Sequence, residues 1–297
     1  MSAAEREGGG EFASVAGPRR RYGLLGDPVS HSISPAIYAA AFRVLGVQAE
    51  YVTLRVAEEE LPGAMRSLAA SGGGNVTLPH KAAAATLLEW RSEDVSASGA
   101  CNCFWLDARG RLAGDNTDVG GFLAALSEAP RCDLAGGRVL LLGAGGAARA
   151  VLIGCERAGA ARIDVWNRSP DRARRLVEQF GSRVLLLRPI AREQLEDVTY
   201  ELVVNATSLG LSSEDPLPLD LGGVRAGAAF DLVYRPGGTR WVHHARELGI
   251  PAQDGRGMLV HQAALAIERW LGIEAPLPAM REATEQALRS PRGVDSR

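Results

Sequence analysis

The chain has little of what marks a secreted, membrane-spanning or nucleic-acid-binding protein. Cysteine is scarce. Cys101, Cys103, Cys132 and Cys155 are the only four in 297 residues, too few for a disulfide scaffold and spaced like no zinc site. They read as reduced thiols. No apolar run reaches the roughly 18 residues that a membrane helix needs, and the N-terminal residues lack the apolar centre of a signal peptide. An excess of one charge is missing too. With 33 basic and 35 acidic residues, a formal charge of −2 and no basic stripe, the sequence offers no footprint for a phosphate backbone. These absences predict a cytoplasmic protein with no resident metal, no membrane and no nucleic acid among its partners.

What is present suits an ordinary globular chain of about two domains, with 46% hydrophobic residues. Residues 1–18 are rich in Gly, Ala and Glu without periodicity, and the closing SPRGVDSR is polar, so both ends read as disordered tails. Between them apolar strand-like runs alternate with helical ones: RYGLLG then AIYAAAFRVLG, AEYVTLRV then EEELPGAMRSLAA, GGNVTL then KAAAATLLEW. The alternation restarts after Asp133 with RVLLLG, ARIDVWN, RVLLL, ELVVNAT and AAFDLVY. It predicts two α/β domains with largely parallel sheets, joined near Asp118 to Phe122.

One lysine stands out. In GGGNVTLPHKAAAATLLEW, Pro79 suits a helix opening and the alanines propagate the helix, so Lys81 falls in the first turn. An ammonium there faces the positive end of the helix dipole, which is poor for stability and useful for giving and taking a proton. Taken alone, a solvated surface lysine is the commoner occurrence.

The second half carries a nucleotide signal. RVLLL runs into Gly143, Ala144, Gly145, Gly146, Ala147 and Ala148 and on into a helical pattern, the strand, glycine turn and helix of a dinucleotide fingerprint. Glycines there let backbone approach a pyrophosphate at the helix N-terminus. A partner for NAD would be an acid at the end of the next strand, about 20 residues on. Here RIDVWN ends instead in Asn167, Arg168 and Ser169, with Arg172 and Arg174 following, while Asp164 lies inside the strand. A guanidinium fork matches a 2′-phosphate, so the cofactor reads as NADP(H), held by Arg168 with Asn167, Ser169 and Arg172.

The first half must supply substrate contacts. In GDPVSHSISP, Ser34 and Pro35 read as helix cap and first helical residue, and Ser32 with Ser34 forms a compact receptor for a carboxylate. His31 could assist or could be structural. Asn102 in GACNCFW could turn the chain or hold a hydroxyl, and Asp118 in GDNTD could cap a helix or orient Lys81. Met258 and Gln262 share a helix face in GMLVHQAALAIERW, where the apolar core explains the first and not the second.

In this order GDPVSHSISP, GNVTLPHK, GDNTD, GAGGAARA, NATSLG, DLVYRPGGT and GMLVHQAALAIERW resemble shikimate dehydrogenases from about Tyr22 to about Gly272. The resemblance implies an N-terminal α/β substrate domain completed by C-terminal helices, residues 19–118 plus 256–290, and a Rossmann-like NADP domain, residues 119–255, with a cleft between them. It implies reversible, NADP-dependent reduction of 3-dehydroshikimate to shikimate. Ser32 and Ser34 would take the carboxylate, and Thr77, Asn102, Asp118, Gln262 and Tyr234 the ring. Lys81 would move the hydroxyl proton, oriented by Asp118, as hydride passes between substrate and nicotinamide. Thr207, Leu232, Gly257 and Met258 would complete the cofactor side begun by Gly143 to Ala147. Of two departures, Cys103 stands where the family usually has threonine, and His80 replaces a frequent hydrophobic or aromatic residue and would add a second titrating group beside Lys81. Relatives that take quinate with NAD carry an acid where this chain has Arg168. A silent ligand sensor would need neither Lys81 nor Asp118, and a methylene-tetrahydrofolate dehydrogenase leaves the two serines unexplained. A monomer or a homodimer fits this reading.

Overall fold

In the computed structural model, the described residues are 20–129, 132–181, 186–195 and 198–289. The expected disordered ends, 1–18 and 290–297, lie outside them. Elements of the first half are β1 (Arg20–Gly26), α1 (Ser34–Val44), β2 (Ala49–Arg55), α2 (Leu61–Ser71), β3 (Gly72–Val76), α3 (Lys81–Leu87), β4 (Trp90–Arg91), α4 (Glu93–Ser98), β5 (Cys103–Leu106) and β6 (Leu112–Asp115). After α5 (Thr117–Ser127) come β7 (Arg138–Leu142), α6 (Gly146–Arg157), β8 (Arg162–Trp166), α7 (Pro170–Phe180), β9 (Leu187–Pro189), β10 (Thr199–Asn205), β11 (Arg225–Asp231), α8 (Arg240–Glu247) and β12 (Ala252–Gln253). Helices α9 (Arg256–Leu271) and α10 (Leu277–Arg289) close the described chain.

Two six-stranded sheets result, ordered β2-β1-β3-β5-β6-β4 and β12-β11-β10-β7-β8-β9. The second is parallel throughout, with β7 paired to β8 on one side and β10 on the other. That order reverses beside β7, the switch point where open α/β sheets bind ligands. Its strands are continuous apolar runs because helices cover both faces, and Val139, Leu140, Leu141 and Leu142 are all buried. The first sheet departs from the parallel expectation. There β5 runs antiparallel to both of its neighbours, β3 and β6. The run after Asn102 turns back on itself at Asp107–Gly110, where Gly110 adopts φ +73° and Gly110 N–H donates to Asp107 O, so a short hairpin replaces a βαβ crossover.

Helices α5 and α9 run against each other between the sheets. A Cβ on Gly121 of α5 would sit 2.8 Å from Gln262 Cβ and 3.0 Å from Met258 O, so only glycine permits that approach. The first core gathers α1, α9 and α10 over β1 and β2, with Tyr22 stacked on Trp270 at 4.7 Å and Tyr38 on Tyr51 at 4.1 Å. Among the described residues no helix is long and apolar enough to cross a membrane. The four cysteines are free thiols.

Candidate active site

Loops leaving the ends of β1 and β3 emerge side by side. Asp27 N–H donates to Leu78 O at 2.9 Å and Thr77 N–H to Leu25 O at 2.8 Å. Both loops contain a cis proline, at Asp27–Pro28 and Leu78–Pro79. The helix carrying Lys81 begins later than Pro79 suggests. Pro79 belongs to the turn, His80 is the N-cap and Lys81 is the first helical residue. Ser34 likewise is no cap. It is the first residue of α1 behind the N-cap Ile33, and its own N–H donates to Ser32 Oγ at 3.2 Å. Its hydroxyl is thereby left for another partner, beside that of Ser32.

Lys81 meets Asp118 across the sequence. Its Nζ donates to Asp118 Oδ2 at 2.6 Å, with the two side chains only 15% and 9% exposed. Asn116, not Asp118, is the N-cap of α5, so the aspartate is free for the ammonium. Its other oxygen accepts from Asn102 Nδ2 at 2.9 Å. Asn102 Nδ2 also lies 3.0 Å from Thr117 Oγ1 and 3.4 Å from Gln262 Oε1, and Asn102 Oδ1 accepts the Thr117 N–H at 2.7 Å. One amide thus ties α5 to α9, and Asp118, which it holds, reaches Lys81 of α3. The helix dipole disfavours the Lys81 ammonium, and the carboxylate compensates.

Behind these residues stands a layer the sequence reading missed. Tyr38 and Tyr51 hydroxyls both donate to Asn75 Oδ1 at 2.8 Å, and Asn75 Nδ2 donates to Asn102 O at 3.0 Å. All are buried, and burial pushes both tyrosines well above their usual range. The available signal was an asparagine inside the apolar strand GGGNV, since a buried amide needs partners. His80 takes a different place from the one expected. Its buried ring donates from Nε2 to Val56 O at 2.8 Å, toward the backbone after β2 and not toward the ammonium.

The second sheet provides a candidate nucleotide cradle. Gly143 adopts φ +104°, and a Cβ there would lie 2.9 Å from Ala206 O. Gly145, the N-cap of α6, has nothing within 4 Å of a Cβ position, leaving the turn open to a ligand. The free N–H groups at the start of this 12-residue helix fit a pyrophosphate. Ala144 and Ala147 are half-buried along the same turn. Arg168 and Arg172 are exposed just past β8, and no ion pair joins either to a carboxylate among the described residues, whereas Arg174 is taken by Asp171. Asn167 Nδ2 donates to Ser169 O at 2.8 Å, tightening the turn between them. Asp164 faces away as a strand residue. Buried, it accepts from Arg162 Nε at 3.0 Å, Arg188 Nε at 2.7 Å and Tyr200 OH at 3.0 Å. This set fits a dinucleotide with an extra phosphate better than one with free ribose hydroxyls.

The two halves meet at the lysine. A Cβ on Gly146 would be 3.8 Å from Lys81 Cδ, so the glycine turn abuts the Lys81–Asp118 pair. Thr207 N and Oγ1 both donate to Asn205 Oδ1, and Leu232 N–H donates to Asn205 O, setting both residues along the ends of β10 and β11. Tyr234 packs on the first core from the second sheet's side. Gly257 and Met258 occupy the first turn of α9, against α5.

The arrangement has known counterparts. Family models match residues 24–104 (shikimate dehydrogenase substrate binding domain), 125–210 (shikimate/quinate 5-dehydrogenase) and 255–285 (shikimate 5′-dehydrogenase C-terminal domain). The chain is 44% identical over 271 residues to the shikimate dehydrogenase (NADP(+)) of Thermus thermophilus, covering 90% of this chain and 98% of that one. It is similar to the crystal structure of that organism's shikimate 5-dehydrogenase in complex with NADP(H) and shikimate, with a TM-score of 0.80, 40% identity, and 91% and 100% of the two chains covered. It also resembles a 5-ketofructose reductase of Gluconobacter, at 30% identity and a TM-score of 0.78 over 90% and 98% of the chains. Fold alone thus admits more than one substrate, and the agreement along nearly the whole sequence is what decides: this chain belongs to the shikimate dehydrogenase family.

Proposed function

We propose that the protein catalyses the reversible, NADP-dependent reduction of 3-dehydroshikimate to shikimate, the oxidoreductase step of chorismate and aromatic amino-acid biosynthesis. The observation that carries this reading is the buried Lys81–Asp118 pair, 2.6 Å apart and abutting the dinucleotide turn at Gly146. Lys81 Nζ takes the proton of the reacting hydroxyl during oxidation and returns it during reduction. Asp118 holds the ammonium and orients the same oxygen, while Asn102, Thr77 and Gln262 fix the other ring hydroxyls. Ser32 and Ser34 anchor the carboxylate, and Tyr234 closes on the ring from the second unit. NADP, when bound, supplies the hydride acceptor or donor. Gly143, Ala144, Gly145, Gly146 and Ala147 cradle its pyrophosphate, and Asn167, Arg168, Ser169 and Arg172 take the 2′-phosphate. Thr207, Leu232, Gly257 and Met258 line the nicotinamide side. In this reading residues 19–118 with 256–290 form the substrate unit and 119–255 the cofactor unit, in a cytoplasmic monomer or homodimer.

The decisive assay follows reduced nicotinamide absorbance with shikimate or quinate crossed against NADP or NAD. Turnover confined to shikimate with NADP is expected. Strong quinate turnover with NAD would replace this reading with that of a quinate enzyme, and no turnover on any pair with that of a ligand-binding relative.

A further inference from the structure

One buried acid serves neither proton transfer nor phosphate binding. Asp231 is the last residue of β11, in register with Asn205, the last of β10, and it is fully buried. Its Oδ1 accepts from Asn205 Nδ2 at 2.8 Å and Val233 N–H at 3.0 Å, and its Oδ2 accepts from Thr239 Oγ1 at 2.6 Å. The three donors belong to three segments, the end of β10, the turn before Tyr234 and the cap of α8. None is charged. Among the described residues no Lys, Arg or His forms an ion pair with it, and the charge that acts on it is another acid, Asp254, itself bound by Arg256. Burial, aided by Asp254, pushes its carboxyl up to about 6. Such a group costs the fold stability at neutral pH, and an acid kept at that cost calls for a use other than stability.

The bonds beyond Asp231 indicate that use. Asn205, held by it, accepts from Thr207 through Oδ1 at 3.0 and 2.7 Å, donates to Leu209 O at 3.1 Å, and through its carbonyl fixes Leu232 N–H at 2.9 Å. Val233, held by it on the other side, accepts from Gly255 N–H at 3.2 Å, where α9 begins, and precedes Tyr234. We propose that Asp231 is a positioning residue that sets the cofactor-side turn at Thr207 and the substrate-side turn at Tyr234 in one mutual geometry. The inference rests on the dehydrogenase reading for its kinetic part and on geometry alone for its binding part.

The test compares D231N with D231A. Asparagine can keep its oxygen toward Asn205 and Val233 and turn its amide to Thr239 Oγ1, which can accept, so the shape persists with weaker, uncharged acceptors. Alanine removes all three bonds. A misplacement of about 1 Å at a reacting centre can cost on the order of 10²-fold. In D231A, kcat/KM for NADP is expected to fall by about that factor, and D231N should recover part of it, near a 10-fold loss. NADPH affinity, read by fluorescence titration without substrate, should weaken in the same order. The D231N thermal midpoint at pH 8 should be no lower than that of the wild type, which separates positioning from plain structural support. Wild-type kcat and NADPH affinity in folded D231N would overturn the proposal, as would a D231N whose only defect is a lowered midpoint. If D231A does not fold, D231N decides. If the wild type fails to turn over shikimate, the functional reading falls and the NADPH titration still decides this one.

Discussion

At the end of the first sheet a buried carboxylate, Asp118, meets an ammonium 2.6 Å away, and at the end of the second another, Asp231, meets only neutral donors. The two belong to different sheets of the molecule and do opposite things with charge. Asp118 compensates a lysine whose place at a helix N-terminus is unfavourable, so the pair is self-contained and available for proton exchange. Asp231 has no such partner and sits in its charged form at a loss. In the proposed reaction the acid paired with Lys81 stands where charge moves. The acid without a cation, Asp231, stands where three neutral donors from separate segments converge.

The comparison breaks first at Lys81. If the pair moves the proton, Lys81→Met lowers kcat by roughly 10²- to 10⁴-fold, the usual contribution of a positioned acid or base, while KM for shikimate changes little. Steady-state kinetics on protein with an unchanged circular dichroism spectrum checks this, and a near-normal kcat would remove the lysine from the chemistry. Asp118→Asn should lower kcat as well, and the double variant should be little worse than Lys81→Met alone, because two groups acting as a unit are not additive.

How far each side could be read from sequence follows from the same contrast. The Lys81–Asp118 pair was legible because a lysine after a proline and an acid in GDNTD look odd where they stand. Asn102 and Gln262 were legible only as unexplained polar residues in apolar surroundings, and their union with Asp118 needed a contact between positions 160 residues apart. Tyr38, Tyr51 and Asn75 escaped notice because aromatics in apolar runs look like core, and their hydroxyls show a purpose only once three elements converge. The hairpin of β5 and β6 was lost to the expectation of parallel strands, and the starts of α1 and α3 each moved by the local turn chemistry of Ser32 and the Leu78–Pro79 turn. Asp231 reads as an unremarkable strand end in AAFDLVY. Nothing local distinguishes it, since its partners come from positions 205, 233 and 239.

A smaller effect is expected on the cofactor face, where exposed Arg168 and Arg172 contrast with both buried acids. Each hydrogen bond to a charged group contributes about 1.5–3 kcal/mol, so Arg168→Ala should cost roughly 10- to 150-fold in kcat/KM for NADP and leave NAD nearly untouched. The ratio of the two cofactors, measured at one salt concentration, is the readout. Equal losses for both would mean that the arginine supports the loop and does not read the phosphate.

The smallest effect sharpens the comparison at Asp231 through pH. Its carboxyl stands at about 6 in the folded chain against an ordinary 3.8. Between those values the folded state holds a proton that the unfolded state has released, so this group's contribution favours folding at low pH. It is lost as pH rises through about 6. The full difference corresponds to about 3 kcal/mol, and hydrogen bonds retained by asparagine should recover only part of it. Removing the charge should therefore raise the thermal midpoint of D231N by a few degrees at pH 8, at roughly 2–4 °C per kcal/mol for a chain this size. The gain should shrink toward zero near pH 4, where the wild-type acid is itself protonated. Asp118→Asn should show no such pattern, because it leaves the Lys81 ammonium buried without its partner and lowers the midpoint at pH 8. Opposite signs for the two Asp→Asn changes would separate an acid that balances a charge from one that holds a turn in place. A fall in both would show that Asp231 is held as firmly by its neutral donors as Asp118 is by its lysine.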